Sequence, residues 1–232
     1  MQDRLPPAAT PTAMPAIGRI GWLRGALGAA VATALTGLVC HLLLAGDPAC
    51  PWLVAPMGAT AVLIFVLPAS PLSQPWPVLG GHLLAALVGL ACNALIAAPW
   101  LAAGGAVGAA IAGMSLARCL HPPAGGTTLV TALASPAIAA AGPHFLLIPL
   151  ALNIAVMLAC GWGWNRLTGH SYPHRAAPGP VLQPWSGHIE DEDLEMVLEQ
   201  WDEVLDVSRE DLFALFHAVE ARVLARANAR KG

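Results

Sequence analysis

Residues Gly25–Gly46 read GALGAAVATALTGLVCHLLLAG, an apolar run that carries no charge from end to end. About 22 residues of helix cover the roughly 30 Å hydrocarbon core of a bilayer. Outward from this run the pattern persists. Between Gly25 and Ala117 the only charged residue is Asp47, and every carboxylate except Asp3 and Asp47 lies at or after Glu190. Only 11% of the 232 residues are charged and 56% are hydrophobic, against the roughly 25% charged that a soluble domain carries. A water-exposed fold cannot surface such a stretch. A bilayer can, because a helix there satisfies its own backbone and shows apolar side chains to lipid. The run is too long for a signal-peptide core and ends in His-Leu-Leu-Leu-Ala-Gly-Asp-Pro, without a small-x-small cleavage site. It reads as a retained first helix. The lipid bilayer is the first expected partner, and the net charge of −3, set by the tail, gives no reason to expect nucleic acid.

Four segments have spanning length or nearly so, at about 20–45, 78–98, 102–119 and 143–165, each bounded by Pro, Gly or a polar cluster. Two shorter apolar stretches, Met57–Leu67 and Thr127–Ala141, would cover only about 16–23 Å as helix. These two resemble each other. Pro56-Met57-Gly58-Ala59-Thr60 aligns with Pro123-Ala124-Gly125-Gly126-Thr127, and each runs on to Ala-Ser-Pro, at Ala69–Pro71 and Ala134–Pro136. Each sits between two longer apolar segments. The chain therefore reads as two three-element repeats, roughly 20–98 and 102–165.

Arg4, Arg19, Arg24, Arg118, Arg166 and Arg175 decide the number of crossings. If all six elements cross, these arginines share one side, as the positive-inside rule requires. If the short elements dip in and out, Arg118 faces the other side. The expected fold is thus an all-α, polytopic membrane bundle of six elements in two inverted repeats, with two short half-helices. It would sit multi-pass in a bacterial-type inner (plasma) membrane with both termini cytoplasmic. The domains follow as a disordered segment 1–18, a membrane domain 19–166, a Pro/Gly/His-rich linker 167–188, and a cytoplasmic amphipathic helical hairpin 189–232. In that hairpin Ser208 would cap the second helix, with Asp211 three residues on.

The Pro-x-Gly-[AG]-Thr starts are the candidate binding site. A helix that begins inside the membrane exposes unpaired N–H groups and the positive end of its dipole. Two such ends from inverted repeats would meet near the midplane, an arrangement suited to a small anion. Pro56, Gly58, Thr60, Pro122, Pro123, Gly125 and Thr127 belong to it. His121 precedes the second start, and Arg118 lies one helical turn before His121; as a plain topology anchor, Arg118 needs no ligand. His41, His82 and His144 fall near predicted helix ends without metal-ligand spacing. Asn93 and Asn153 could line a polar interior or bond across helices. Cys40, Cys50, Cys92, Cys119 and Cys160 show no paired spacing and read as packing residues. No GxSxG, P-loop or paired membrane carboxylates are present, so no enzyme activity, metal or cofactor is expected.

His121-Pro122-Pro123-Ala124-Gly125-Gly126-Thr127-Thr128 resembles the signature of the HPP family of integral membrane proteins. The resemblance extends to Ala55–Thr60, to Leu67–Pro75 followed by Gly80-Gly81-His82, and to Tyr172-Pro173, covering about 20–175. Gly126 and Thr128 stand where alanine is expected. Leu205–Leu212 is similar to the segment that leads into CBS domains in longer relatives. Plant and cyanobacterial-type members are associated with nitrite transport, so the resemblance implies nitrite as a substrate. The expectation is a transporter or channel for a small monovalent anion, with Arg118 and His121 near its cytoplasmic mouth. The alternative is a membrane sensor or scaffold acting through the tail hairpin, which could pair with itself in a homodimer or dock a partner.

Overall fold

The computed structural model describes residues 21–44, 53–175, 191–199 and 209–229. The expected segment 1–18, most of the linker and the Ser208 capping turn lie outside the described residues. All regular structure among the described residues is helical. Four helical runs are long and apolar enough to cross a membrane. They are α1 (Gly21–Leu44), α3 (Pro75–Leu95), α4 (Pro99–Leu116) and a last run in which a π-helical turn, Leu146–Ala151, leads into α7 (Leu152–Leu167). Between them lie α2 (Met57–Val66), α5 (Pro122–Ala132) and α6 (Pro136–Ala141). The tail contributes α8 (Asp191–Glu199) and α9 (Arg209–Ala229).

Several boundaries differ from the sequence expectation, and proline explains most of them. Proline suits the first turn of a helix, where its missing N–H has no partner to lose. α3, α4, α5 and α6 each open with a proline at the first position. α3 and α4 therefore start and end about three residues earlier than expected, and the Pro-x-Gly segments form the first turns of α2 and α5, as the sequence pattern suggests. Thr127–Ala141 is not one stretch. It breaks at Leu133–Ser135, where the Ser135 hydroxyl accepts from Ile138 N at 3.4 Å and starts α6. Ser70 does the same for a 3-10 turn, Pro71–Ser73, accepting from Leu72 N at 3.3 Å.

Side-chain contacts set the helix directions. α3 and α5 run parallel: Gly81 lies against His121 at their starts, and Asn93 Nδ2 donates to Ala132 O at their ends. α7 and α2 run parallel as well, since Asn153 Oδ1 accepts from Val54 N just ahead of α2 and Asn165 Nδ2 donates to Ile64 O near its end. The start of α3 meets the chain just beyond α7, through Tyr172 Oη donating to Ser73 O at 2.8 Å and His174 N donating to Gln74 Oε1 at 2.8 Å. The two parallel pairs are therefore antiparallel to each other. α1 and α4 run against the short helices they precede.

The crossings depend on small residues, as expected where lipid tails remove any hydrophobic drive between helices. A methyl group on Gly28 would stand 2.6 Å from Phe65 and Trp164; one on Gly89 would overlap Thr131 and approach Thr128 O to 2.6 Å. The larger buried cluster includes Met57, Ile64, Phe65, Phe145, Leu150, Ile154 and Met157; a smaller one joins Ala85, Ala110, Met114, Cys119 and Ala124. Outward, Leu95 (83% exposed), Leu116 (87%) and Leu167 (85%), each the last residue of its helix, show bare aliphatic surface. Trp22, Trp76, Trp100 and Trp162 are exposed near helix ends, the level at which indoles favour the membrane interface.

Candidate functional site

Thr60, in the first turn of α2, and Thr127, in α5, meet on one imidazole. His82 Nε2 lies 2.8 Å from Thr60 Oγ1, and His82 Nδ1 lies 2.7 Å from Thr127 Oγ1. Thr60 Oγ1 also stands 3.0 Å from His121 Nε2, and His121 Nδ1 stands 2.8 Å from Leu72 O. All four side chains are fully buried. The two rings meet edge to face at 4.9 Å between centroids.

One carbonyl orients the whole chain of hydrogen bonds. Leu72 O can only accept, so His121 Nδ1 must carry the hydrogen. In a neutral imidazole the other nitrogen is then an acceptor, and the Thr60 hydroxyl donates to His121 Nε2. With its only hydrogen used, Thr60 Oγ1 accepts from His82 Nε2–H. His82 Nδ1 in turn accepts from the Thr127 hydroxyl. Every ring nitrogen is satisfied, which a buried polar cluster requires.

Local sequence explains how α3 reaches the cluster. A methyl group on Gly81 would stand 2.8 Å from His121 Cβ and 2.9 Å from Cys119 O, and one on Gly80 would stand 3.1 Å from Cys119 Cβ. Gly80-Gly81 thus lets the α3 backbone lie against the 117–121 turn, and His82 follows directly. Sequence reasoning placed His82 near a helix end. It is in fact the hub, because α3 begins at Pro75 and carries His82 into the interior; the Gly-Gly-His run was the available signal.

The remaining expected residues divide. Pro56 and Pro123 are buried beside the cluster, and the N-terminal ends of α2 and α5 meet where Gly126 faces Pro56, 3.1 Å from a methyl group built on that glycine. Gly58 is exposed, Gly125 is half-buried, and nothing lies within 4 Å of a methyl group on either. Their backbones therefore border open space, not a packed neighbour. Pro122 is exposed. Arg118 is exposed too and makes no contact with the imidazoles; it ends α4 in the left-handed conformation, φ 52°. Arg24, read only as a basic flank, has a larger structural part. It donates to Asn165 Oδ1 at 3.0 Å, Thr168 Oγ1 at 3.3 Å and Phe65 O at 3.1 Å. A cation at those last carbonyls of α2 suits the negative end of its dipole. Asn93 and Asn153 bond across helices, as one of their two sequence readings had it.

Among the described residues no group of three or more His, Cys, Asp or Glu could hold a metal ion. Neither a curated protein nor a solved structure matches the chain. The family model of the HPP transmembrane region matches residues 14–173. That match takes in every residue of the His–Thr cluster and all four spanning helical runs, and the chain belongs to the HPP family of integral membrane proteins.

Proposed function

We propose that this protein is a transporter or channel for a small monovalent anion. The observation that carries the reading is the meeting of two short-helix N-termini, α2 and α5, at Pro56 and Gly126 and on the shared His82 ring. Both ends direct positive dipole toward the same place, while the first amides of each helix, Met57 and Gly58 in α2 and Ala124 in α5, bond to Val54 O, Ala55 O and His121 O. Among the described residues, helices α1 to α7 and the turns between them carry no carboxylate to repel an anion there. The open space beside Gly58 and Gly125 leaves backbone within reach of a ligand. Nitrite heads the candidates because the family resemblance implies it.

The same reading takes 20–98 and 102–165 as inverted repeats with six crossings. Three correspondences support it. Gly89 of α3 packs on Thr131 of α5, as Gly161 of α7 packs on Ile64 of α2. Four residues on, Asn93 and Asn165 each donate to a carbonyl near the end of that short helix. Ser70 and Ser135 cap the turn after each. With six crossings Arg24, Arg118 and Arg166 share one end, which we take as cytoplasmic in an inner membrane.

Purified protein in proteoliposomes tests the function. Uptake of nitrite, nitrate, formate or chloride above that of a neutral solute is expected. Equal uptake of the neutral solute, or none of any anion, removes the reading. A sensor or scaffold is the second reading, favoured by the exposed apolar residues Leu215, Phe216, Val219 and Val223 on α9. Deleting the tail after residue 188 separates the two, because a transporter keeps flux without it.

A further inference from the structure

The His–Thr cluster has a second way to satisfy its hydrogen bonds. Thr60 Oγ1 lies 3.3 Å from Pro56 O as well as 3.0 Å from His121 Nε2. In the neutral cluster the Thr60 hydrogen points to His121. Turned instead to Pro56 O, it leaves the Thr60 oxygen facing His121 Nε2 with lone pairs only. That nitrogen can then carry a hydrogen of its own. The protonated cluster would read His82 Nε2–H and His121 Nε2–H both donating to Thr60, Thr60 donating to Pro56 O, and His121 Nδ1–H donating to Leu72 O. No buried donor or acceptor is stranded in either arrangement, so the switch avoids the penalty of an unsatisfied polar group. One hydroxyl rotation separates the two states.

Charge is what the chain itself does not balance. α2, α4, α5 and the 67–74 turn contain no ionisable side chain. On α3 the ionisable groups are His82 itself and Cys92. The 117–121 turn adds buried Cys119, whose Sγ faces Gly80, and exposed Arg118. Beyond α7, Tyr172 bonds to Ser73 O next to Leu72. None is a carboxylate. An imidazolium at His121 would lie between the positive ends of α2 and α5, where none of the described residues supplies a counter-ion and a bound anion would.

We propose that His121 takes up one proton with each anion, the Thr60 hydroxyl turning from His121 to the Pro56 carbonyl to admit it. The new N–H bond forms at Nε2 with a proton given up by hydronium on the side of entry, and it breaks when the anion leaves on the other side, the proton passing to water there. Binding is reciprocal: the anion raises the affinity for the proton and the proton raises that for the anion. This coupling rests on the anion-transport reading, and it makes movement electroneutral.

The test uses the full chain in proteoliposomes clamped at zero membrane potential, with a pH dye inside and nitrite or nitrate as the probe. Protein-free vesicles correct for diffusion of the neutral acid. Wild type should acidify the lumen as the anion enters, and a gradient of one pH unit should concentrate the anion about tenfold at equilibrium. His121→Gln can still bond Thr60 but cannot take a proton, so this accumulation should be lost. Thr60→Val should lose it and Thr60→Ser keep it, because only serine retains the rotating hydroxyl. Anion flux in wild type without proton movement overturns the coupling and leaves the transport reading standing. Accumulation that persists in His121→Gln or Thr60→Val overturns the assignment to these side chains. Absence of any anion flux overturns both readings together.

Discussion

α2 and α5 are built alike and furnished differently. Each is short, packs on a glycine of a long parallel helix, and has a carbonyl near its end held by an asparagine four residues beyond that glycine. Where α5 is preceded by His121, the matching position ahead of α2 is Val54, which offers only its backbone N–H to Asn153. Where α3 carries His82, the position in α7 that corresponds through Gly89 and Gly161 is Ile154, a core residue. Both imidazoles fall in one set and both aliphatic residues in the other. At the far end the asymmetry reverses: among the described residues α2 has a cation, Arg24, on its Phe65 carbonyl, and α5 has none at its end. The shared packing keeps two helix starts together, while the unshared side chains put both imidazoles in the α3–α5 pair, facing the Thr60 hydroxyl of α2.

The glycine crossings should give the largest effects. Gly89→Leu and Gly161→Leu would force side chains through packed neighbours, and folded, detergent-stable protein should be lost in both. Their alanine versions separate the halves. At Gly89 the methyl meets the Thr131 hydroxyl and backbone at Thr128 and Ala132, whereas at Gly161 it meets a single side-chain methyl, Cγ2 of Ile64. Gly89→Ala should cost more, within the ~1–3 kcal/mol usual for overpacking. Thermal unfolding of the pair, with Gly163→Ala as the unhindered control, decides it; equal melting temperatures would break the comparison at its packing level.

Next come the open glycines. Gly58→Val and Gly125→Val have room for their side chains, so insertion should persist while anion flux falls below detection. Normal flux in both variants would reduce the two helix starts to packing. A smaller difference is expected between the asparagines. Asn165 accepts from Arg24 and donates to Ile64 O and Gly161 O, while Asn93 makes one bond, to Ala132 O. Asn165→Ala should destabilise by ~1–3 kcal/mol and Asn93→Ala by ~1 kcal/mol. Chemical unfolding in mixed micelles measures both.

Arg118 should give the smallest change. Its side chain is exposed and no hydrogen bond ties it to the imidazoles among the described residues, so it acts on an anion through the local potential. Arg118→Gln should slow uptake modestly at low salt and hardly at 0.1 M, where the Debye length has shrunk to about 10 Å. Arg118→Lys should keep the rate. Arg118→Gly, which relieves a left-handed residue, should stabilise the turn by ~1 kcal/mol. Initial rates normalised to correctly oriented protein distinguish a charge that attracts anions from one that only anchors the helix end.

Much was legible in the chain before any contact was known. A span of residues with a single charge, Asp47, can fold only where the solvent is lipid, and the period and length of its apolar runs mark the long helices. The paired Pro-x-Gly-[AG]-Thr segments were legible because proline and glycine constrain the backbone locally, whatever surrounds them. His82 was not. Its type and spacing resemble those of His41 and His144; only the preceding Gly80-Gly81 sets it apart, and no local feature says that it joins two threonines distant in sequence. Arg24 was misjudged for the same reason: a basic residue before an apolar run reads as an anchor until the end of α2 is found beside it. By itself the sequence determined the bilayer, the long helices and the two helix starts, because these follow from solvent transfer and from the covalent limits of single residues. Only the tertiary structure decided which hydroxyl meets which imidazole, because hydrogen bonds across 22 to 61 residues of chain depend on helices packed closely enough, at Gly81 and Gly89, to bring those atoms within 3 Å.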